Sequence, residues 1–221
     1  MSIKVLSYSS LAPWSNTEME QALSLVPEAM RQRIARYQHA PERQSRLAGR
    51  LLLRQLLRAY DLPFTLHDVQ YTSLHKPYVH PDFDFSIAHT DGLVLCAGIT
   101  RGKIGIDAEK VRDIDLMDYR DVLSDIEWTL LTDSSSQVNF WDIWTRKEAL
   151  AKASGKGIVM ELAQIDATNP IVSIEAQQYR CHQLKSVANF AAHLAVSQGV
   201  PEAEVPLVAR AVTTQELLAE G

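Results

Sequence analysis

The residues best suited to chemistry lie in three short segments. In Gly105-Ile106-Asp107-Ala108-Glu109 two carboxylates stand at i and i+2, a spacing that in a strand points both to one face. Side by side they repel unless a cation or a proton neutralises them. The neighbouring Ile104 and Ile106 imply that the strand leading to them is buried. Paired acids at the end of a buried strand suit a hard cation such as Mg²⁺, which takes oxygen ligands. The plainer alternative is a solvated strand end with unrelated charges.

The second segment, Trp141 to Lys152, reads as a helix. Glu148 lies four residues after Trp144 and four before Lys152, so the three share a face. An exposed Glu–Lys pair would give the same spacing, but two tryptophans on that side turn the face inward, and an inward Glu needs a partner. A metal held by Asp107 and Glu109 would supply one, and Lys152 would reach an anion on the same metal. Mg²⁺ held by a few carboxylates completes its shell with water and substrate phosphates. That points to phosphoryl-type chemistry, where catalysis is positioning and charge neutralisation. The third segment is Lys76-Pro77 with Phe85-Ser86-Ile87-Ala88-His89-Thr90. His89 and Thr90 stand at the mouth of a tight hairpin, where side chains and turn amides can meet an anion; ordinary turn chemistry is the alternative.

The elements that must position these groups are short. Met1 to Leu6 reads as a strand rather than a signal peptide, and Pro27 to Tyr37 as a helix with its proline in the first turn. A second helix follows Pro41 and ends at Leu62-Pro63. Its Arg46, Arg50, Arg54 and Arg58 fall at i+4 steps, a stripe that is either a solvated face or a guide for a phosphate or an acidic partner. Asp84–Ala88 and Leu93–Ile99 flank Thr90-Asp91-Gly92, a hairpin signal. Lys103 to Ala108 is a strand, and helices are predicted over 116–131 and 139–154, the latter stopped by Gly155. Residues 179–185 and 188–196 form a second hairpin. Each half thus reads as helices followed by antiparallel strands. The fold class expected is α+β, with two similar pseudo-symmetric halves, 1–104 and 105–221, and a ligand cleft between them.

Composition narrows the setting. The chain has 221 residues, 46% apolar and 22% charged, with a net charge of −5. That charge offers no general attraction for nucleic acid or anionic membrane, so any basic site must be local. The longest apolar runs are too short to cross a bilayer. The seven histidines show no zinc spacing, and Cys96 and Cys181 read as reduced thiols. A cytoplasmic monomer is the expectation.

Taken together the segments resemble the Sfp-type 4′-phosphopantetheinyl transferases. The match lies in Gly105-Ile106-Asp107-Ala108-Glu109 (the family's G-I-D-x-E) and Trp144 to Lys152 (its W-x-x-K-E-A-x-x-K), continued by Gly155 and Gly157. Lys76-Pro77 and Phe85 to Thr90 agree with its upstream features. The resemblance implies transfer of the phosphopantetheine arm of coenzyme A to a serine of an apo carrier protein, with release of 3′,5′-ADP. By that match Asp107, Glu109 and Glu148 would hold Mg²⁺, and Lys152 would contact the phosphates and help the leaving group. Lys76, Pro77, Ser86, His89 and Thr90 would lie near the nucleotide, with His89 facing the 3′-phosphate and Arg31, Arg33 and Arg46 as looser companions. Glu148 and Glu127 are the two expected proton acceptors. Ala88 stands where the family has a serine, which would remove a phosphate contact. A Mg²⁺-dependent nucleotide or pyrophosphate hydrolase and a non-catalytic carrier-binding protein are the alternatives.

Overall fold

A computed structural model describes residues 3–9, 12–157, 161–185 and 189–219. Strand β1 (Ile3–Ser9) is followed by helices α1 (Asn16–Ser24), α2 (Glu28–Ala35) and α3 (Ala40–Ala59). A small ribbon, β2 (Gln70–Tyr71) with β3 (Pro77–Tyr78), leads to the hairpin of β4 (Phe83–Thr90) and β5 (Leu93–Thr100). A second unit repeats the plan with β6 (Ile104–Lys110), α4 (Asp125–Thr132), α5 (Phe140–Ser154), β7 (Ile171–Ile174), β8 (Gln177–Gln183) and β9 (Phe190–Ser197). The chain then returns through β10 (Arg210–Ala211) and α6 (Thr214–Leu218).

Each unit forms one antiparallel core sheet in which the first strand pairs with the second strand of the following hairpin. The orders are β10-β1-β5-β4 and β6-β9-β8-β7. The two similar halves expected from the sequence are therefore present. They do not divide cleanly at 104/105, because β10 pairs in parallel with β1 and α6 docks beside α3. Arg54 and Gln55 of α3 donate to the Ala219 and Glu216 carbonyls and fasten this C-terminal strap.

Helix α3 owes its stability to its apolar stripe. Leu47, Leu51, Leu52, Leu53, Leu56 and Leu57 are almost wholly buried, each contributing about 2 kcal/mol. The like-charged arginine steps cost only about 0.2–0.5 kcal/mol apiece, so burial wins easily. The helix expected over 116–131 is broken in two. Ser124 and Glu127 form a reciprocal cap at its middle, so a short 3₁₀ turn over Leu116–Val122 precedes α4. Helix α5 is bounded as the sequence suggests: the Asn139 side chain caps Trp141 N at 2.8 Å, and Gly155 closes it at φ 75°.

The halves meet where β4 lies against β6, and side chains rather than a backbone ladder join them. Asp84 accepts from Ile104 N at 2.9 Å, Ser86 from Ile106 N at 3.1 Å and Thr90 from Lys110 N at 3.4 Å. Behind this seam an apolar cluster unites Ile3, Val5, Leu95 and Ile99 of one half with Ile104, Ile106, Leu194 and Val196 of the other. No helix among the described residues is long and apolar enough to cross a membrane.

Candidate active site

Helix α5 crosses β6 at backbone contact, and Gly105 permits it. A Cβ there would stand 1.9 Å from the Ala149 carbonyl oxygen and 2.5 Å from Ala153 N. This approach sets Glu148 and Lys152, one turn apart on α5, beside Asp107 and Glu109 of β6. Lys152 Nζ donates to Asp107 Oδ1 at 2.7 Å, while Asp107 Oδ2 is buried without a partner. The three carboxylates feel one another. Burial, then the Asp107 charge, raises the carboxyl of Glu109; the same causes, with Glu109 added, raise that of Glu148. Thr90 Oγ1 donates to Glu109 Oε2 at 3.0 Å.

Among the described residues no three Asp, Glu, His or Cys side chains stand close enough together to enclose a metal ion. The expected set Asp107, Glu109 and Glu148 is thus gathered but not closed. Lys152 pairs with Asp107, and Thr90 holds Glu109. The chemistry of the set still fits a hard cation: clustered carboxylates, one with an orphaned buried oxygen, in a place where like charges raise proton affinity.

On one side of Lys152 opens a cavity of about 270 Å³ bordered by Arg46, Arg50, Lys76, Pro77, Ser86 and His89. Burial, with Arg46, Lys152 and Arg50 nearby, holds the His89 imidazole down to about 4, so the ring is neutral at pH 7 and can donate one hydrogen bond. Arg46 Nε is a buried donor without a partner. Lys76 is held by Asp84 at 2.8 Å, and burial lowers its ammonium against the pull of that carboxylate. On the other side of Lys152 lies a groove of about 690 Å³, bordered by Asp121, Val122, Glu148, Ala151, Glu161 and Leu162. Ala151, Lys152 and Gly157 border both spaces.

Several expected residues stand elsewhere. Glu127, expected as a proton acceptor, borders neither space: it is fully buried, with Lys147 at 2.6 Å and the amides of Ser124 and Ala167 occupying its oxygens. Arg31 pairs with Glu28 on the outer side of α2, and Arg33 stacks over Tyr71 at 4.3 Å, in a separate shallow cavity that meets the first at His75. Thr90 borders neither main space and serves Glu109. Ala88 faces the apolar seam beside Ile106 and Ala108, so the missing hydroxyl belongs to that seam rather than to a phosphate. Sequence reading passed over Asp84, the buried anchor of Lys76. Its signal was an acid at an inward position of a strand whose other inward residues are small or apolar.

Residues 103–206 match the family model of the 4′-phosphopantetheinyl transferase superfamily, and residues 12–101 match that of the 4′-phosphopantetheinyl transferase N-terminal region. The chain is 30% identical over 158 residues to the 4′-phosphopantetheinyl transferase Sfp of Bacillus subtilis (strain 168), covering 68% of this chain and 69% of that protein. The chain belongs to the 4′-phosphopantetheinyl transferase superfamily. It is an Sfp-type transferase. The similarity to 4′-phosphopantetheinyl transferase gsp of Aneurinibacillus migulanus is 32% identity over 143 residues, 63% of this chain and 60% of the relative. A mouse (Mus musculus) L-aminoadipate-semialdehyde dehydrogenase-phosphopantetheinyl transferase is 26% identical over 185 residues, 71% of this chain and 58% of its own length. The two family models part between residues 101 and 103, at the link between β5 and β6. In this transferase the carboxylates and Lys152 therefore lie in the second matched region, and the basic cavity is shared with the first.

Proposed function

We propose that the chain transfers the 4′-phosphopantetheine arm of coenzyme A to a serine of an apo carrier protein, with Mg²⁺ as cofactor and as a monomer. The observation that carries this reading is the placement of Lys152. It stands at the junction of the basic cavity and the acidic groove and pairs with the carboxylate whose other oxygen is orphaned. Arg46, Arg50, Lys76 and neutral His89 suit the phosphates of the nucleotide end. The groove beyond Lys152 suits the pantetheine arm and the incoming serine, with the pyrophosphate between the two spaces.

Asp107, Glu109 and Glu148 would hold the cation, which when bound neutralises the pyrophosphate. The chain's own groups do the rest. The serine hydroxyl attacks the β-phosphorus, the bond to the α-phosphate oxygen breaks, and 3′,5′-ADP leaves. Glu148, which borders the groove, takes the hydroxyl proton. Lys152 donates to the departing phosphate.

The test incubates the protein with coenzyme A, Mg²⁺ and several apo carrier proteins and reads intact carrier mass. One added phosphopantetheine arm is expected, absent with a chelator, with Asp107→Ala and with a carrier whose acceptor serine is alanine. Cleavage of coenzyme A without a carrier would indicate a hydrolase instead, and binding of carriers without modification would indicate a docking protein.

A further inference from the structure

We infer that Lys147 is a positioning residue: with Glu127 it holds both walls of the acidic groove and so governs how the pantetheine arm binds, without touching the nucleotide cavity. The inference rests on the function proposed above. Lys147 neighbours Glu148, but one residue along a helix turns about 100°, and its side chain runs inward to complete burial. An ammonium has three N–H donors, and all three are used. They reach Glu127 Oε2 at 2.6 Å and the carbonyls of Leu162 and Ile165 at 2.7 Å each. Glu127 in turn accepts from Ser124 N and Ala167 N, at 2.8 Å each.

This network joins three pieces of chain around the groove. Leu162, Ala163 and Gln164 form one wall, pulled onto α5 by Lys147. Asp121 and Val122 form another, just before the α4 cap that Glu127 closes. Glu148 lies between them on α5. None of the network's members borders the nucleotide cavity. A satisfied buried network of this kind is rigid, and two charges sealed from water are a costly way to build a wall unless its position matters. The burial of Lys147 lowers its ammonium, yet Glu127 acts against that shift.

The test compares two ligands by calorimetry: coenzyme A, which fills both spaces, and 3′,5′-ADP, which fills the nucleotide cavity alone. The variant is Glu127→Gln/Lys147→Met, which removes both charges and releases the two carbonyls while keeping side-chain volume. Coenzyme A affinity is expected to fall about tenfold or more, with 3′,5′-ADP affinity within about twofold of wild type. In turnover the KM for coenzyme A should rise more than kcat falls. Glu127→Gln alone, which leaves the ammonium on its two carbonyls but without its counter-charge, should show the same selectivity. Unchanged coenzyme A affinity, or equal weakening of both ligands in either variant, would overturn the inference. A wild-type protein that binds neither ligand would remove the transferase reading and this inference with it.

Discussion

Gly105→Ala is the sharpest perturbation available, because it acts on backbone rather than on any reacting group. The added methyl would lie 1.9 Å from the Ala149 carbonyl oxygen. Carbon and oxygen without a conventional hydrogen bond settle at about 3.3 Å or more, so strand and helix must separate by about 1.4 Å. Neither neighbour is a flexible side chain: Ala149 O and Ala153 N both belong to α5. The helix therefore moves as a body, carrying Glu148 and Lys152 away from β6. The contact between Lys152 and Asp107, now 2.7 Å, would open to about 4 Å, beyond hydrogen-bond range. Overpacking of this kind costs about 1–3 kcal/mol. For a chain of this size each kcal/mol lowers Tm by about 2–4 °C, so the variant should remain folded at 25 °C. Misplacement beyond about 1 Å should lower transfer about 100-fold. Circular dichroism and a melting curve would establish the fold, and carrier mass against time the rate. A folded variant that modifies carriers at the wild-type rate would show that α5 need not touch β6, and the account of the site would fall.

Three further outcomes are expected. Burial holds the His193 imidazole to about 3, against 6.5 for an exposed ring. Between those values the unfolded chain binds a proton that the folded chain refuses. Its contribution is therefore fully present above pH 6.5 and is lost as the pH falls towards 3, by up to about 1.4 kcal/mol per pH unit. His193→Gln, which can still donate to Thr145 Oγ1, should flatten urea midpoints measured between pH 7.5 and 5; an unchanged slope would count against the buried neutral ring. Ala88→Ser should raise stability by about 1 kcal/mol by giving Ala108 N, which faces the same seam as Ile106 N, the acceptor that Ser86 gives its neighbour. Coenzyme A affinity should not change, and a gain in affinity would restore the phosphate role for that position. Lys147→Met alone should cost about 3–5 kcal/mol by stranding the Glu127 carboxylate, with most of it recovered in Glu127→Gln/Lys147→Met. A double variant whose loss equals the sum of the losses in Lys147→Met and Glu127→Gln would show that the pair carries no coupling.

The local rules written into the chain were enough for most elements. The Asp91-Gly92 turn, the leucine stripe of α3, and the Asn139 and Gly155 ends of α5 depend on residues close in sequence, so short-range physics decides them. The alternation along β6 likewise revealed that Asp107 and Glu109 share a face, and the four-residue step that Glu148 and Lys152 do. The break at Ser124 was missed although its signal, Ser-x-x-Glu, was present, because apolar residues continue on both sides of it.

What the sequence could not decide was which of its charged residues meet. Glu127 and Glu148 are both acids on helices near the same motif. One is spent on a lysine 20 positions away, and the other faces the groove. Arg33 and Arg46 are both cations near the same end of the chain, yet of the two only Arg46 borders the basic cavity. These outcomes turn on how two sheets abut, since Asp84 and Ser86 bond to amides 20 residues on, and on a helix resting on a glycine. Contacts of that range are set by packing many distant atoms at once. Residue type and spacing determined which groups were available for chemistry; the tertiary structure decided which were left free to do it, because a buried charge must be matched and the nearest partner is chosen in space.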